Sequence, residues 1–424
     1  MTSGRSEWPF LRVLRWGMVA LLVVLLSVMS GVVGFVIGGG GEDGGSSGSN
    51  PAAQGEPDFG ILGEIYGIIR QDYVDQSSVD PELLRQGAID GEVAALGDPH
   101  TMYIDPESYS LGVDIITGQF EGIGARVEQD PVTGEIVIVA PFRDSPADKA
   151  GIRSGDVILT VDGESTAGWT VSQAVRRIRG PQGSEVTLGV RHDNGETETL
   201  TITRSVITVP TVFSREVEDE DGNPVSDIAY VELDQITEDS VGALTDVVRD
   251  VVDKGYKGLI LDLRWNPGGA LDATIDIADL FLDSGIILIQ VDKDGNETVT
   301  RADSGDPGEQ IPLVLLVGKG SASGAEVLAA ALRDNGRAVL VGTTTFGKGT
   351  VNHLRELSDG GALYISIARW LTPNGEQIEA IGLEPDVEVV PTDEDIEANR
   401  DVQLFAAIDY MRQEIQAAVP WARR

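Results

Sequence analysis

The apolar positions of this chain change period twice. From Phe59 to about Leu96 they recur at helical spacing, in ILGEIYGIIRQDYV and then PELLRQGAIDGEVAAL. Near Gly122 the period shortens to that of strands: IGARV, EIVIVA, DVILTVDG, EVTLGVRH and TETLTITRS, with one helical stretch, VSQAVRRIR, among them. These runs predict a compact αβ module over 118–207. Beyond it, strand-like and helix-like runs alternate: IAYVELD, SVGALTDVVRDVVDKG, KGLILDLR, ATIDIADLFLDSG, IPLVLLVG, EVLAAALRDNG, RAVLVG and LYISIARW. Strand–helix alternation predicts an α/β sheet core, here over 208–395, followed by a helical tail over 396–424. No internal repeat is present.

Ahead of the helical region at 58–117, Met18 to Ile37 reads MVALLVVLLSVMSGVVGFVI, 20 residues without a charge. About 20 apolar residues span a bilayer core. Arg5, Arg12 and Arg15 precede this run and Glu42, Asp43 and Glu56 follow it, so the sequence predicts a cytoplasmic N-terminus over 1–17, a single transmembrane anchor over 18–37 and everything later outside. A cleaved signal peptide has a shorter apolar region and a small-residue cleavage site, and no A-x-A follows here. Residues 38–57, GGGGEDGGSSGSNPAAQGEP, read as a flexible tether. Gly44 to Gly48 within it match the hydrolase pattern G-x-S-x-G, but no strand precedes them and no helix follows, which leaves the match without meaning.

Composition narrows the chemistry. With 424 residues the chain has room for two or three domains. It has no cysteine, which excludes disulfides, thiol catalysis and thiolate metal sites. Its formal net charge is -38 and no basic stripe relieves it, so nucleic acid is not an expected partner. There is no H-E-x-x-H motif, and the three histidines, His100, His192 and His353, stand apart from one another.

Only six lysines face 69 acidic residues, and one of them, Lys348, lies between two glycines in TTTFGKGT. Three readings compete. Gly342 to Lys348 fits the phosphate-loop pattern G-x-x-x-x-G-K, but Gly349 replaces the Ser or Thr that would hold magnesium, and two strands around a turn follow instead of a helix. An exposed loop lysine is the plain alternative, although RAVLVG and Phe346 beside it favour a buried or half-buried position. The third reading is a general base: a neutral lysine amine can take a proton from serine, provided burial overcomes its ordinary pKa of about 10.4. A serine must then stand close by. Ser323 opens a predicted helix after the strand IPLVLLVG, in the capping box Ser323-Gly324-Ala325-Glu326. It reads equally as a helix cap or as a nucleophile among free N–H groups at the positive end of a helix dipole. LDLRWNPGG ends another strand in a Pro-Gly-Gly turn whose amides are either simply a turn or an oxyanion donor.

Taken together and in order, these segments resemble the carboxyl-terminal processing, or tail-specific, serine proteases. ALGDPHTMYIDPE resembles the family's N-terminal L-D-P-H-S-x-Y segment. GQFEGIGARV, SPADKAGIRSGDVILTVDG and VSQAVRRIRGPQGSEVTL resemble its PDZ domain. LDLRWNPGG, GSASGAEVLAAALRDNGRAVLVGTTTFGKGTV and WLTPNGEQIEAIGLEPDV resemble its protease core. The resemblance implies an α/β protease core of ClpP/crotonase-like type with an inserted PDZ domain. It also implies a Ser–Lys dyad whose nucleophile falls on Ser323, not Ser321, and whose base falls on Lys348, buried. The amides of Gly324 and Gly269 would form the oxyanion hole. Asn352 stands where many members carry the glutamine that orients the lysine, and the sequence SASGAE replaces the commoner S-A-S-A-S-E. Gly122-Ile123-Gly124-Ala125 matches the PDZ loop that receives a substrate's C-terminus; by itself it reads as a glycine turn before a strand.

The same resemblance implies protein or peptide substrates with free C-termini and a homodimer or larger assembly. An activating partner is a further implied feature. No metal or organic cofactor is called for, and the expected location is the bacterial cytoplasmic membrane with both domains on its outer side. The alternative function is an inactive PDZ scaffold; a retinoid-binding use of the same core is opposed by the PDZ segment and the intact Ser/Lys pair.

Overall fold

The computed structural model describes residues 59–418, apart from residues 107, 110–118, 132, 143 and 193. The expected anchor at 18–37 and the tether therefore lie outside the described residues. Among the described residues no helix is long and apolar enough to cross a membrane. The chain divides into a unit ending at Tyr103 and a unit beginning at Ile104.

The first unit contains helices α1 (Gly60–Asp72) and α2 (Pro81–Ala94), and neither buries a residue. Asp80 caps α2 by accepting from the N–H groups of Glu82 and Leu83, with Pro81 at the first helical position. A surface helix normally turns its apolar stripe to a core. Here Ile61, Ile65 and Ile68 on α1 and Leu83 on α2 are all exposed.

The second unit begins with the β-rich module. Strands β1 (Gln119–Gly122) and β7 (Ser205–Thr208) pair antiparallel, Gln119 opposite Thr208, and bring the module's two ends together. Between them lie β2 (Ala125–Gln129), β3 (Ile136–Pro141), a short helix α3 (Pro146–Lys149), β4 (Val157–Val161), helix α4 (Val171–Ile178), β5 (Glu185–Arg191) and β6 (Thr197–Thr203). The sheet runs β2-β3-β4-β5-β6, so β2 is an edge strand. Alternation sets the core: Val186, Leu188 and Val190 point inward from β5, meeting Ile136, Ile138, Ile158 and Ala174.

The α/β core follows. Its sheet is β8 (Val212–Ser214), β9 (Ile228–Leu233), β10 (Gly258–Asp262), β13 (Leu313–Val317), β14 (Ala338–Gly342) and β17 (Val387–Glu388), parallel except for β8. Helices α5 (Glu238–Asp253), α6 (Leu271–Asp279) and α7 (Gly324–Asp334) connect the strands. The strands read as unbroken apolar runs because both faces are covered. Leu259, Leu261, Leu313 and Leu315 enter a core with the connecting helices. Ile260, Val314 and Leu316 on the other face meet Leu404, Ala407, Ile408 and Met411 of the tail. That tail forms α8 (Asp393–Glu397) and α9 (Val402–Ala418). A second, antiparallel sheet joins β11 (Ile286–Asp292) to β12 (Glu297–Arg301) and to β16 (Ala362–Leu371), which forms a hairpin with β15 (Thr350–Glu356).

Candidate active site

Three segments meet at the carboxyl end of the parallel sheet: the turns after β10, β13 and β14. Helix α7 is the platform. Every residue from Gly324 to Leu332 is buried, and Ala329, Ala330 and Ala331 let it lie close to the sheet. Ser323 immediately precedes it with φ 54° and ψ -117°. A non-glycine residue in such a region costs about 1–3 kcal/mol and persists only where neighbours enforce it. Here the Glu326 carboxylate accepts the Ser323 N–H at 2.8 Å, and the Glu326 N–H donates to the Ser323 carbonyl at 2.8 Å. Ser321 differs: wholly buried, its hydroxyl donates to the Leu263 carbonyl at 2.8 Å and accepts the Gly318 N–H at 3.0 Å. It joins two turns and has no freedom to attack.

The Asn-Pro-Gly-Gly turn after β10 lies directly against Ser323. Buried Asn266 donates from its amide to the Leu233 carbonyl and accepts the Gly268 N–H, both at 2.8 Å, while the Ala322 N–H donates to its backbone carbonyl at 3.0 Å. Gly268 has φ +92°, and a methyl group there would lie 2.6 Å from both the Ala322 oxygen and the Gly324 nitrogen. Only glycine allows that approach. A methyl group on Gly324 would in turn lie 3.3 Å from the Gly269 nitrogen, so the two amides are neighbours. Among the described residues the N–H groups of Gly269 and Gly324 donate to nothing.

The loop after β14 carries Lys348. Glu326 holds it as well: its buried carboxylate accepts from the Thr345 hydroxyl at 2.6 Å, the Gly347 N–H at 2.7 Å and the Lys348 N–H at 2.9 Å. One carboxylate thus ties the serine turn to the lysine loop. Burial pushes its pKa upward, and the hydrogen bonds from Thr345, Lys348, Gly347 and Ser323 oppose that shift. Lys348 is half-buried, within the buried or half-buried range that its apolar neighbours suggest. Its carbonyl accepts the Trp370 indole N–H at 2.9 Å, which fixes the backbone beneath it. Its ammonium lies 3.4 Å from the Tyr364 hydroxyl and 5.1 Å from that ring's centroid. Asn352 donates from its amide to the Ser366 hydroxyl and accepts from Thr350, both at 3.2 Å. Sequence reading treats Glu326 only as half of a capping box and passes over Tyr364. The strand alternation that places Tyr364 on the face of Ser366 is its one signal.

In the module, the Ile123 carbonyl accepts the Ala147 N–H at 2.8 Å, and the Gly124 carbonyl accepts the Phe142 N–H at 2.8 Å and the Ser145 hydroxyl at 2.9 Å. These bonds fix the Gly122-Ile123-Gly124 loop that leads into Ala125 and edge strand β2. Among the described residues the N–H groups of Ile123 and Gly124 are uncommitted. Helix α4 packs against β2. His192 belongs to this module, its ring 2.8 Å from Asp156 and 3.3 Å from Glu198, and those carboxylates hold its pKa up. His353 is exposed on β15.

Residues 227–389, which contain all three turns, match the model of peptidase family S41. The chain is 39% identical over 341 residues to the carboxy-terminal processing protease CtpA of Bacillus subtilis (strain 168), covering 80% of this chain and 71% of that one. The chain belongs to peptidase family S41. It is a serine-type peptidase of the carboxyl-terminal processing group. A carboxyl-terminal-processing protease of Synechocystis sp. is 36% identical over 329 residues, 76% of each chain. Residues 137–192 match a PDZ domain, and residues 43–108 match the N-terminal domain of the activating protease CtpB. A putative S41 protease structure from Bacteroides fragilis NCTC 9343 superposes with a TM-score of 0.50 at 17% identity, over 85% of this chain and 98% of that one; at that identity it shows the family S41 fold alone.

Proposed function

We propose that Ser323 and Lys348 form the catalytic dyad of this peptidase, with the amides of Gly269 and Gly324 as its oxyanion hole. The observation that carries this reading is the pair of uncommitted N–H groups flanking a serine held at φ 54° on a buried helix. The neutral Lys348 amine takes the Ser323 hydroxyl proton as the Oγ–C bond forms. The oxyanion receives the two N–H groups. Lys348 then protonates the leaving amine as the C–N bond breaks, and water hydrolyses the acyl-enzyme, releasing the new C-terminus and regenerating the serine. Asn352, in the place of the family's glutamine, supports the strand that follows the lysine loop.

The PDZ domain is proposed to bind the substrate's C-terminus. Edge strand β2 offers unpaired backbone for an added strand, and the N–H groups of Ile123 and Gly124 suit a carboxylate. The test labels the full chain with a fluorophosphonate and follows its cleavage of an unstructured peptide ending in Ala-Ala. Ser323 should carry the adduct, and amidating the peptide's C-terminus should weaken its binding at least tenfold. An adduct elsewhere rejects the nucleophile, and equal binding of both peptides rejects the carboxylate site.

We further propose that residues 18–37 anchor the protein in the bacterial cytoplasmic membrane with both domains outside, on the strength of the uncharged run and the preceding arginines. The exposed isoleucines of α1 are proposed to pair with a second copy. The protein should resist alkaline carbonate extraction, be digested by external protease in spheroplasts, and cross-link to itself in the membrane fraction. Release by carbonate, protection from protease, or a wholly monomeric product would each remove the corresponding proposal.

A further inference from the structure

We infer that Tyr364 is the positioning residue of Lys348. This rests on the dyad reading above. A lysine base has four rotatable side-chain bonds and is useful only when something holds its nitrogen toward the serine. Among the described residues the side chain that meets the nitrogen is a tyrosine, and it does so twice. The Lys348 nitrogen is within hydrogen-bond reach of the Tyr364 hydroxyl at 3.4 Å and within cation–π range of its ring at 5.1 Å from the centroid.

The strand register explains how. On the β15–β16 hairpin Asn352 is opposite Ser366 and Leu354 is opposite Tyr364, with an irregularity between Val351 and Asn352. Ser366 and Tyr364, two residues apart, share a face of β16. Asn352 is one methylene shorter than glutamine, and its amide bonds Thr350 and Ser366 on the hairpin itself among its partners. The longer tyrosine on the same face spans the remaining distance. Its hydroxyl also suits the task chemically. A phenol accepts a hydrogen bond from an ammonium and donates one to a neutral amine. It can therefore keep hold of Lys348 both before and after the proton transfer. The ring is half-buried on a paired strand, so little entropy is lost in presenting it.

The experiment compares the full chain with Tyr364→Phe, Tyr364→Leu, Asn352→Gln, and Tyr364→Leu combined with Asn352→Gln, using the fluorophosphonate and the Ala-Ala peptide. Lys348→Ala and Ser323→Ala serve as references. Tyr364→Phe keeps the ring and should lower kcat by a few fold; Tyr364→Leu loses both contacts and should lower it about tenfold or more. In both, KM should stay within about twofold of wild type and Tm should be unchanged. Glutamine at position 352 should restore most of the activity lost in Tyr364→Leu, because it reaches the lysine from the neighbouring strand. Wild-type kcat in Tyr364→Leu, or a loss in which kcat and Tm fall together and glutamine restores nothing, overturns the inference while leaving the dyad intact. If instead Lys348→Ala cleaves and labels as wild type does, or the wild-type chain does neither, the dyad reading itself fails.

Discussion

Ser323→Ala and Lys348→Ala are each expected to lower kcat/KM by roughly 10⁴-fold or more, and the double variant should be no worse than the poorer single one. The reason is that the two residues act in one step: without the amine the hydroxyl keeps its proton, and without the hydroxyl the amine has no proton to take. What survives in either variant is the contribution of binding and of the Gly269 and Gly324 amides. Neither substitution should disturb the fold. Ser323 is held to Glu326 through its backbone N–H and carbonyl, which alanine keeps, and the Lys348 side chain leans on Tyr364 at the half-buried edge of the core. Ser321→Ala is the decisive contrast. Its loss strands the buried Gly318 N–H, which costs about 1–3 kcal/mol, while the Leu263 carbonyl keeps the Asn266 N–H at 3.0 Å. It should therefore lower Tm while leaving the folded enzyme competent. Progress curves on the Ala-Ala peptide, read beside thermal unfolding, separate the outcomes. If Ser321→Ala abolished turnover at unchanged stability and Ser323→Ala did not, the nucleophile would have been misassigned by one turn of the loop.

The sequence made some of this plain and hid the rest, for physical reasons that differ by segment. Central strands such as Gly258–Asp262 and Leu313–Val317 are buried on both faces, so their apolar runs announce them at once. The turns after them are legible because they are chemically unusual: Pro-Gly-Gly admits a φ of +92° at Gly268, and Ser-Gly at a helix start marks a small, exposed-amide site. The choice between Ser321 and Ser323 cannot be made from local composition. It depends on where each hydroxyl finds a partner, and the Ser321 partner Leu263 is 58 residues away in the chain. Tyr364 is similarly hidden, since its contact with Lys348 arises from hairpin register, which a sequence specifies only through alternation. Lys348 is half-buried rather than fully enclosed, and Phe346, two residues before it, is itself exposed. The loop is pinned by backbone hydrogen bonds to Glu326 more than by an apolar enclosure.

That carboxylate leads to the second large effect. Glu326→Gln is nearly isosteric, yet it is expected to lower kcat/KM about 100-fold and to cost about 1–3 kcal/mol of stability. Glu326 accepts from four donors: the Ser323, Gly347 and Lys348 N–H groups and the Thr345 hydroxyl. An ionised carboxylate can receive all four, whereas an amide offers one oxygen and turns two N–H donors toward the rest. At least one of the two loops must then let go, and the strained φ of Ser323 supplies the direction in which it relaxes. The pH dependence carries its own signature. Burial raises the Glu326 pKa above the ordinary carboxylate value, so the folded state holds this proton more tightly than the unfolded one. Its contribution to stability is therefore fully present below the ordinary glutamate pKa and declines as pH rises through the folded-state value. The glutamine variant has no proton there to release. The stability difference between wild type and Glu326→Gln should accordingly shrink as pH rises through that window, while the catalytic deficit persists on the alkaline side, where the wild-type carboxylate is ionised and holds both loops. Denaturant titrations at several pH values, paired with kcat/KM, check both halves. A stability difference independent of pH, together with wild-type turnover, would mean that the four hydrogen bonds are not what keeps Ser323 and Lys348 in register.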